Sequence, residues 1–376
     1  MMPTKPEISS VKQEVMSHQA EWDAFMRANP GIEHLDCLFV DLCGTIRGKR
    51  YPVAEGGKVF QSGLQIPYTL YLLDARGETT DATGRGYGDG DPDGVARPVA
   101  GSLSRTACVP QAQAHALMTL FDEKGQPYFA EPRNVLDRVL SRFAELELTP
   151  TVAAELEFFV FDRERTVDGA PQPPLVPGTS IRETSISVYG IEDLDRYRAF
   201  LDDIMAGAKR QNVPATTASS EHAPGQFEIN LQHQTDARTA ADHAVFLKQI
   251  VRNAAKLHGM EASFIAKPYL DAPGSGLHIH VSLADKNGRN VLDDGSALGS
   301  PVLRHAVGGL QAVMGEAMAV FAPNVNSYRR FVPNAFTPMN RRWGYNNRST
   351  GIRIPAGPAN ARRIEHRVSG ADANPY

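Results

Sequence analysis

The stretch Ala153-Ala154-Glu155-Leu156-Glu157-Phe158-Phe159-Val160-Phe161 constrains this chain more than any other. It reads as a strand, in which successive side chains point to opposite faces. Leu156, Phe158 and Val160 then cover one face, while Glu155, Glu157, Phe159 and Phe161 share the other. The two phenylalanines argue that the acidic face is buried as well. Carboxylates roughly 6–7 Å apart along a buried strand repel one another unless cations stand beside them. The fold has to bring positive groups or metal ions to this face.

Three later strands carry suitable partners. In Gln226–Gln232, Phe227, Ile229 and Leu231 face one way and Glu228 shares the other with amides. In Leu277–Leu283, His278, His280 and Ser282 alternate with four aliphatic residues. In Arg363–Val368, the residues Arg363, Glu365 and Arg367 share a face. One such strand is ordinary for a half-exposed sheet. Four of them outline a common polar surface. Carboxylates with at most one imidazole suit hard cations, Mg²⁺ or Mn²⁺, better than zinc. The last third is rich in arginine from Arg329 to Arg367, and the planar guanidinium binds carboxylate and phosphate bidentately. No G-x-x-x-x-G-K-[ST] loop occurs. Divalent cations and an arginine cluster without that loop point to phosphoryl transfer from a nucleotide held by metal and guanidinium.

Composition narrows the partners. The 376 residues suffice for two domains, and 42% apolar with 22% charged residues is an ordinary globular balance. A net charge of −4 argues against a nucleic-acid partner. Cys37, Cys43 and Cys108 include no C-x-x-C pair, which fits a reducing compartment and neither a disulfide framework nor a zinc site. Met1 to Ala20 is polar, and no apolar run is long enough to span a membrane. The expected location is the cytoplasm, with no membrane partner.

Along the chain, a helix is predicted over Val11–Arg27, a strand over Leu35–Leu42 with a hairpin return through Gly44–Arg50, and a long Gly- and Asp-rich loop over Thr79–Pro98. A composition change near residues 110–130 predicts an N-terminal domain over 1–120 and a second over 121–376. Pro132 opens a helix with Val135, Leu136, Val139, Leu140 and Phe143 on one stripe. A Pro-rich excursion spans 163–190. Helices follow at about 192–211, at 236–258 (capped by Thr235 or Asp236, stopped at Gly259) and over 301–321. Strands and helices alternate without βαβ spacing, so the fold class is α+β with a mixed or antiparallel sheet.

Five blocks, in order, resemble the glutamine synthetase family. They are Glu155-Leu156-Glu157-Phe158-Phe159; Glu221-His222-Ala223-Pro224-Gly225-Gln226-Phe227-Glu228; Gly274-Ser275-Gly276 through Leu283; Asn326-Ser327-Tyr328-Arg329-Arg330 with Arg348 to Pro355; and Arg363-Ile364-Glu365 through Tyr376. The resemblance implies an N-terminal β-grasp domain and a catalytic domain with a mainly antiparallel sheet lining a funnel open at both ends. It implies a homo-oligomer, typically a dodecamer of two stacked hexameric rings, in which a neighbour's N-terminal domain completes each site. Relatives continue for some tens of residues beyond the position of Tyr376, so the chain is expected to be truncated relative to the family.

By the same resemblance, Glu157, Glu221 and Glu228 hold the metal that meets the glutamate side chain, and Glu155, His278 and Glu365 the metal on the nucleotide phosphates. Arg330, Arg367 and Gly274 grip glutamate. His280, Arg348, Arg353 and Arg363 meet the phosphates of ATP, with Ser282 and His233 near the nucleoside. Arg348 and Arg330 are the implied catalytic arginines. The implied activity is ATP-dependent ligation of glutamate to an amine nitrogen through γ-glutamyl phosphate.

Three positions depart from family members that use ammonia. Pro273 stands where they carry Asn, Gln61 where they carry Asp, and Phe336, in the flap Val332–Pro338, where they carry a glutamate. The wording Trp343-Gly344-Tyr345-Asn346-Asn347-Arg348 and Ile364-Glu365-His366-Arg367-Val368-Ser369-Gly370-Ala371-Asp372 resembles the γ-glutamyl-polyamine synthetase branch. Gln61 and Phe336 are therefore the acceptor-site candidates, and the acceptor is expected to be an amine or polyamine. Putrescine, longer polyamines, ethanolamine and aromatic amines all stay open. The alternatives are an ammonia-using glutamine synthetase, with an acid from the 78–93 loop filling the gap, and a catalytically silent structural relative.

Overall fold

Alternating burial along short strands, more than any long helix, builds both halves of the computed structural model. Residues 8–80, 84–86, 88–110, 112–184, 186–333 and 336–376 are described, and the chain divides into two units, Met1–Val135 and Leu136–Tyr376. In the first, helix α1 (Ile8–Ala28) leads into strand β1 (His34–Val40), whose Leu35, Cys37 and Phe39 are wholly buried. Strand β2 (Ile46–Pro52), helix α2 (Val53–Ser62), and strands β3 (Leu64–Pro67), β4 (Asp93–Pro98), β5 (Ser104–Arg105) and β6 (Gln113–Phe121) follow. The sheet order is β2-β1-β6-β4-β3, with β5 on β6; β1 and β6 run parallel and the other pairs antiparallel. At Gly56 of α2 a Cβ would stand 2.2 Å from the indole of Trp22, so only glycine lets α1 and α2 meet there.

The loop read from the sequence over Thr79–Pro98 ends earlier, because its last residues form β4. The inward residues there are Gly94, Ala96 and Pro98, too small to register as apolar periodicity. Of its acids, Asp81 lies outside the described residues, Asp89 pairs with Arg85 at 3.0 Å, and Asp91 accepts the Thr69 hydroxyl at 2.8 Å. Residues 121–135 stay with the first unit. Tyr128 stacks on Tyr68 at 4.6 Å, and the Glu131 carboxylate accepts the Leu120 N–H at 2.6 Å.

Helix α3 (Pro132–Glu145) starts at Pro132, where a missing N–H leaves nothing unpaired. Strand β7 (Leu148–Asp162) then forms the axis of the second unit, with Leu156, Phe158, Phe159 and Val160 wholly buried. Helices α4 (Ile191–Arg196) and α5 (Arg198–Arg210) replace the single helix expected over 192–211. Tyr197 breaks it at φ −97°, ψ 16°, with its buried ring edge-on to Phe227 at 5.2 Å. Strands β8 (Ala215–Ser220) and β9 (Gln226–Leu231) precede helix α6 (Ala237–Leu257). Asp236 caps α6 through the Arg238 N–H, and Gly259 follows at φ 73°. Strands β10 (Met260–Ser263) and β11 (Leu277–Asp285) are followed by helices α7 (Pro301–Val313) and α8 (Met318–Phe321), which divide the expected 301–321 helix.

Strands β12 (Trp343–Tyr345), β13 (Ile352–Ile354) and β14 (Ile364–His366) complete a sheet ordered β12-β13-β14-β11-β7-β9-β8, with β10 on β7. Among the described residues of this sheet, only β12 and β13 pair in parallel. The fold is α+β with a mainly antiparallel sheet, as the alternating segments predicted. No helix among the described residues is long and apolar enough to cross a membrane.

Candidate active site

Strand register turns four separate sequence patterns into one surface. On β7, Glu155 pairs with His278 of β11 and Asn230 of β9, and Glu157 pairs with Glu228. His280 pairs with Glu365 of β14, which pairs in turn with Arg353 of β13. Glu155 Oε2 lies 3.2 Å from His278 Nδ1, and its Oε1 3.0 Å from His280 Nε2. Glu157 Oε2 accepts the Gly276 N–H at 2.8 Å, and its Oε1 lies 3.8 Å from His278 Nε2. Glu365, wholly buried, accepts Arg353 Nη1 at 2.8 Å on one oxygen and Arg367 Nη1 on the other.

Two close groups result among the described residues. Glu155, His278 and Glu365 bring one donor atom each within 4.8 Å of one another, and Glu157, Glu228 and His278 do the same. His278 serves both. Glu221 lines the same cavity but belongs to neither group. Burial and then the neighbouring Glu157 push the Glu228 carboxyl up to about 9 and that of Glu221 up to about 7. Burial also opposes ionisation of Glu155 and Glu365, but His278 and His280 around the first, and Arg367 with those imidazoles around the second, hold both below the usual carboxylate range. Clustered oxygen donors, one imidazole and carboxyls this costly to ionise without a countercharge fit a hard divalent cation.

Two cavities open on this surface. The larger, about 1080 Å³, is lined by Glu155, Glu157, Glu221, Glu228, His278 and Gly274, and by Arg330, Arg348, Arg353 and Arg367. The Nε–H groups of Arg330, Arg353 and Arg367 are buried without a hydrogen-bond partner, which leaves three guanidiniums with donors to spare. Arg348 stands exposed at the cavity wall. A Cβ on Gly274 would lie 2.3 Å from the Ala266 carbonyl and 2.5 Å from the Arg330 side chain, so only glycine fits beside that arginine. The smaller cavity, about 650 Å³, is lined by His280, Ser282, His233 and Arg363, with Arg363 Nε donating to His280 Nδ1 at 3.2 Å.

The sequence-predicted residues of the second unit thus line one or other cavity, except Glu365, which sits behind Arg353 and Arg367. Phe336 lines the larger cavity at φ 59°, its ring 5.3 Å from that of His222. Gln61 belongs to the first unit, exposed near the end of α2. Val188, Tyr189, Asn230 and Met339 also line the larger cavity and were not singled out from the sequence. Val188 and Tyr189 lie in the Pro-rich excursion, where no periodicity marks them.

The sequence model described as "Glutamine synthetase, catalytic domain" matches residues 129–376. The gamma-glutamylputrescine synthetase of Escherichia coli K12 is 43% identical over 352 residues, covering 94% of this chain and 74% of that protein. The gamma-glutamylethanolamide synthetase of Streptomyces coelicolor is 33% identical, covering 92% of this chain and 73% of that protein. A solved structure of GmaS with ADP superposes with a TM-score of 0.78 at 29% identity, covering 94% of this chain and 77% of that one. With the order of its motifs, the register of its sheet and these matches in agreement, the chain belongs to the glutamine synthetase family.

Proposed function

We propose that this chain is a cytoplasmic ATP-dependent ligase that joins the side-chain carboxyl of glutamate to an organic amine or polyamine. The observation that carries this reading is a pair of acid–imidazole groups on one sheet between two cavities, with three spare-donor arginines at the larger. Glu157, Glu221 and Glu228 hold one Mg²⁺ or Mn²⁺, and Glu155, His278 and Glu365 another. When bound, such ions neutralise phosphate charge. His280, Ser282, Arg363 and His233 receive ATP from the smaller cavity, while Arg348 and Arg353 meet its terminal phosphate. Arg330, Arg367 and Gly274 hold glutamate.

A side-chain oxygen of glutamate attacks the γ-phosphorus, and ADP leaves with the electrons of the broken bond. The amine nitrogen, as the free base, then attacks the acyl carbon of γ-glutamyl phosphate; the C–O bond breaks with its electron pair going to phosphate, which also takes the proton lost from nitrogen. Positioning and charge stabilisation supply most of the rate. Phe336, His222, Tyr189, Val188 and Met339 offer an apolar and aromatic wall that suits methylenes and the cation–π contact of an alkylammonium. The amine acceptors named for two relatives support the same choice. The working form is a homo-oligomer, two stacked hexameric rings, with Gln61 serving a neighbour's acceptor site. The test is phosphate release from ATP and glutamate with putrescine, spermidine, ethanolamine, benzylamine or ammonium chloride. An organic amine should give the highest kcat/KM. Ammonium giving the highest would make this a glutamine synthetase, and release with none would make it a silent relative.

A further inference from the structure

Gln226 opens β9 inside the site and has no part in the scheme above. It shares a strand face with Glu228, lines the larger cavity and is only 2% exposed. Its amide makes two hydrogen bonds to main chain that is distant in sequence. Oε1 accepts the Ala223 N–H at 3.2 Å, and Nε2 donates to the Gly274 carbonyl at 3.1 Å. The two partners fix the orientation of the amide, because a flipped group would set N–H against N–H and oxygen against oxygen.

Each end of this bridge carries part of the site. On one side, the loop from Glu221 to Gln226 closes on the Gln226 backbone. The Gln226 carbonyl accepts the Glu221 N–H at 2.9 Å, and the Gln226 N–H donates to the Ala223 carbonyl at 3.0 Å. On the other side, the turn Gly274–Gly276 packs so closely on Arg330 that a Cβ at Gly274 would stand 2.5 Å from that side chain. The end of the turn is tied to β7, since Glu157 accepts the Gly276 N–H at 2.8 Å and gives its own N–H to the Gly276 carbonyl at 3.0 Å. Its start is tied to β9 by Gln226.

We propose that Gln226 is a positioning residue that sets the distance from the Gly274 turn to the Glu221 loop, and with it the length of amino-acid side chain that the ligase accepts. The inference rests on the ligase reading above, in which Gly274 and Arg330 grip glutamate while Glu157, Glu221 and Glu228 hold a metal near its side chain. Those two places must stand one glutamate length apart for the side-chain oxygen to reach the γ-phosphorus. A misplacement of about 1 Å there costs on the order of 10²-fold in rate. An amide makes the tie without adding charge to a face already crowded with carboxyls.

The test compares Gln226→Met and Gln226→Glu with the wild type at saturating Mg²⁺ and with the best amine as acceptor. Gln226→Met keeps the length of the side chain and makes neither bond. Its kcat with glutamate should fall about 10²-fold, with KM for ATP within about 3-fold of wild type. The ratio of kcat/KM for glutamate to that for 2-aminoadipate, one methylene longer, should fall about 10-fold, because the turn is no longer held at one spacing. Apart from turnover, Mg²⁺ should raise Tm as much as it does in the wild type. A kcat within about 3-fold of wild type, an unchanged ratio, or wild-type kcat regained at higher Mg²⁺ overturns the inference. The last of these would mean that Gln226 only supports Glu221 and Glu228. Gln226→Glu still accepts from Ala223 but, ionised, cannot donate to Gly274, and it decides by the same ratio should the methionine variant not fold. Failure of the ligase reading looks different. The wild type itself would then release no phosphate with glutamate and any amine, and the inference would fall with it.

Discussion

Glu157 and Glu228 are direct partners in the register of β7 and β9, two carboxyls side by side on one face of the sheet. With Glu221 nearby, they make the protein's stability depend on pH in an unusual direction. The folded-state values of Glu228, about 9, and Glu221, about 7, lie above the ordinary 4.5. The folded state therefore holds more protons than the unfolded one between those values, and stability falls as pH rises through this range. Glu155 and Glu365 are shifted the other way, so their contribution is lost only on acidification. His115, His366 and Lys248, buried and shifted down, oppose this trend in the same window, so the glutamates are read by difference. In EDTA, the Tm of the wild type minus that of Glu228→Gln should fall from about pH 5.5 to 9, and Mg²⁺ should flatten that difference. A metal-free difference that rises over that range contradicts the picture.

Arg348, exposed at the wall of the larger cavity, is free to follow charge that develops on the transferring group. Arg348→Ala should lower kcat by about 10²–10³ while KM for glutamate moves little. Steady-state kinetics with the best amine would measure this. A change confined to KM would assign Arg348 to ground-state binding.

The wall made by Phe336 and His222 predicts a switch of acceptor. A protein that selects ammonium needs a fixed carboxylate to bind it and take its proton. Phe336→Glu, alone or with Gln61→Asp, should raise kcat/KM for ammonium relative to putrescine. A ratio unchanged in the double variant would remove Phe336 from the acceptor site.

Arg330 reaches the cavity from the short 3-10 helix Val325–Arg330, whose start is held by one carboxylate. Asp372 Oδ2 accepts from Asn324 Nδ2 at 3.0 Å and from the Ser327 hydroxyl. Asp372→Asn weakens both bonds and removes a charge near Arg330. KM for glutamate should rise about 10-fold with KM for ATP unchanged. Equal rises in both would indicate general loosening.

The strand patterns were legible because period-2 alternation is local. Glu155 and Glu157 had to share a face, and so did His278 and His280, whatever lay next to them. Which strand lay next was not local. The sharing of His278 between two groups follows from register across β7, β9 and β11, which no single segment encodes. The broken helix at Tyr197 escaped for a related reason, since its ring is anchored by Phe227 from another strand. Val188 and Tyr189 were illegible because an irregular excursion carries no period to read.

Glu365 lies wholly buried between two guanidiniums, one on each oxygen. A cation that takes Glu365 as a ligand shares those two oxygens with Arg353 and Arg367 and repels both guanidiniums, which weakens their bonds to it. Donors released on those arginines become available to anions in the larger cavity. Metal loading and glutamate binding are then reciprocally coupled, each tightening the other by the same factor. Calorimetric titration of Mg²⁺ with and without glutamate, and of glutamate with and without Mg²⁺, should return equal ratios of Kd greater than one, whereas ratios of one would mean that the arginines never change partners.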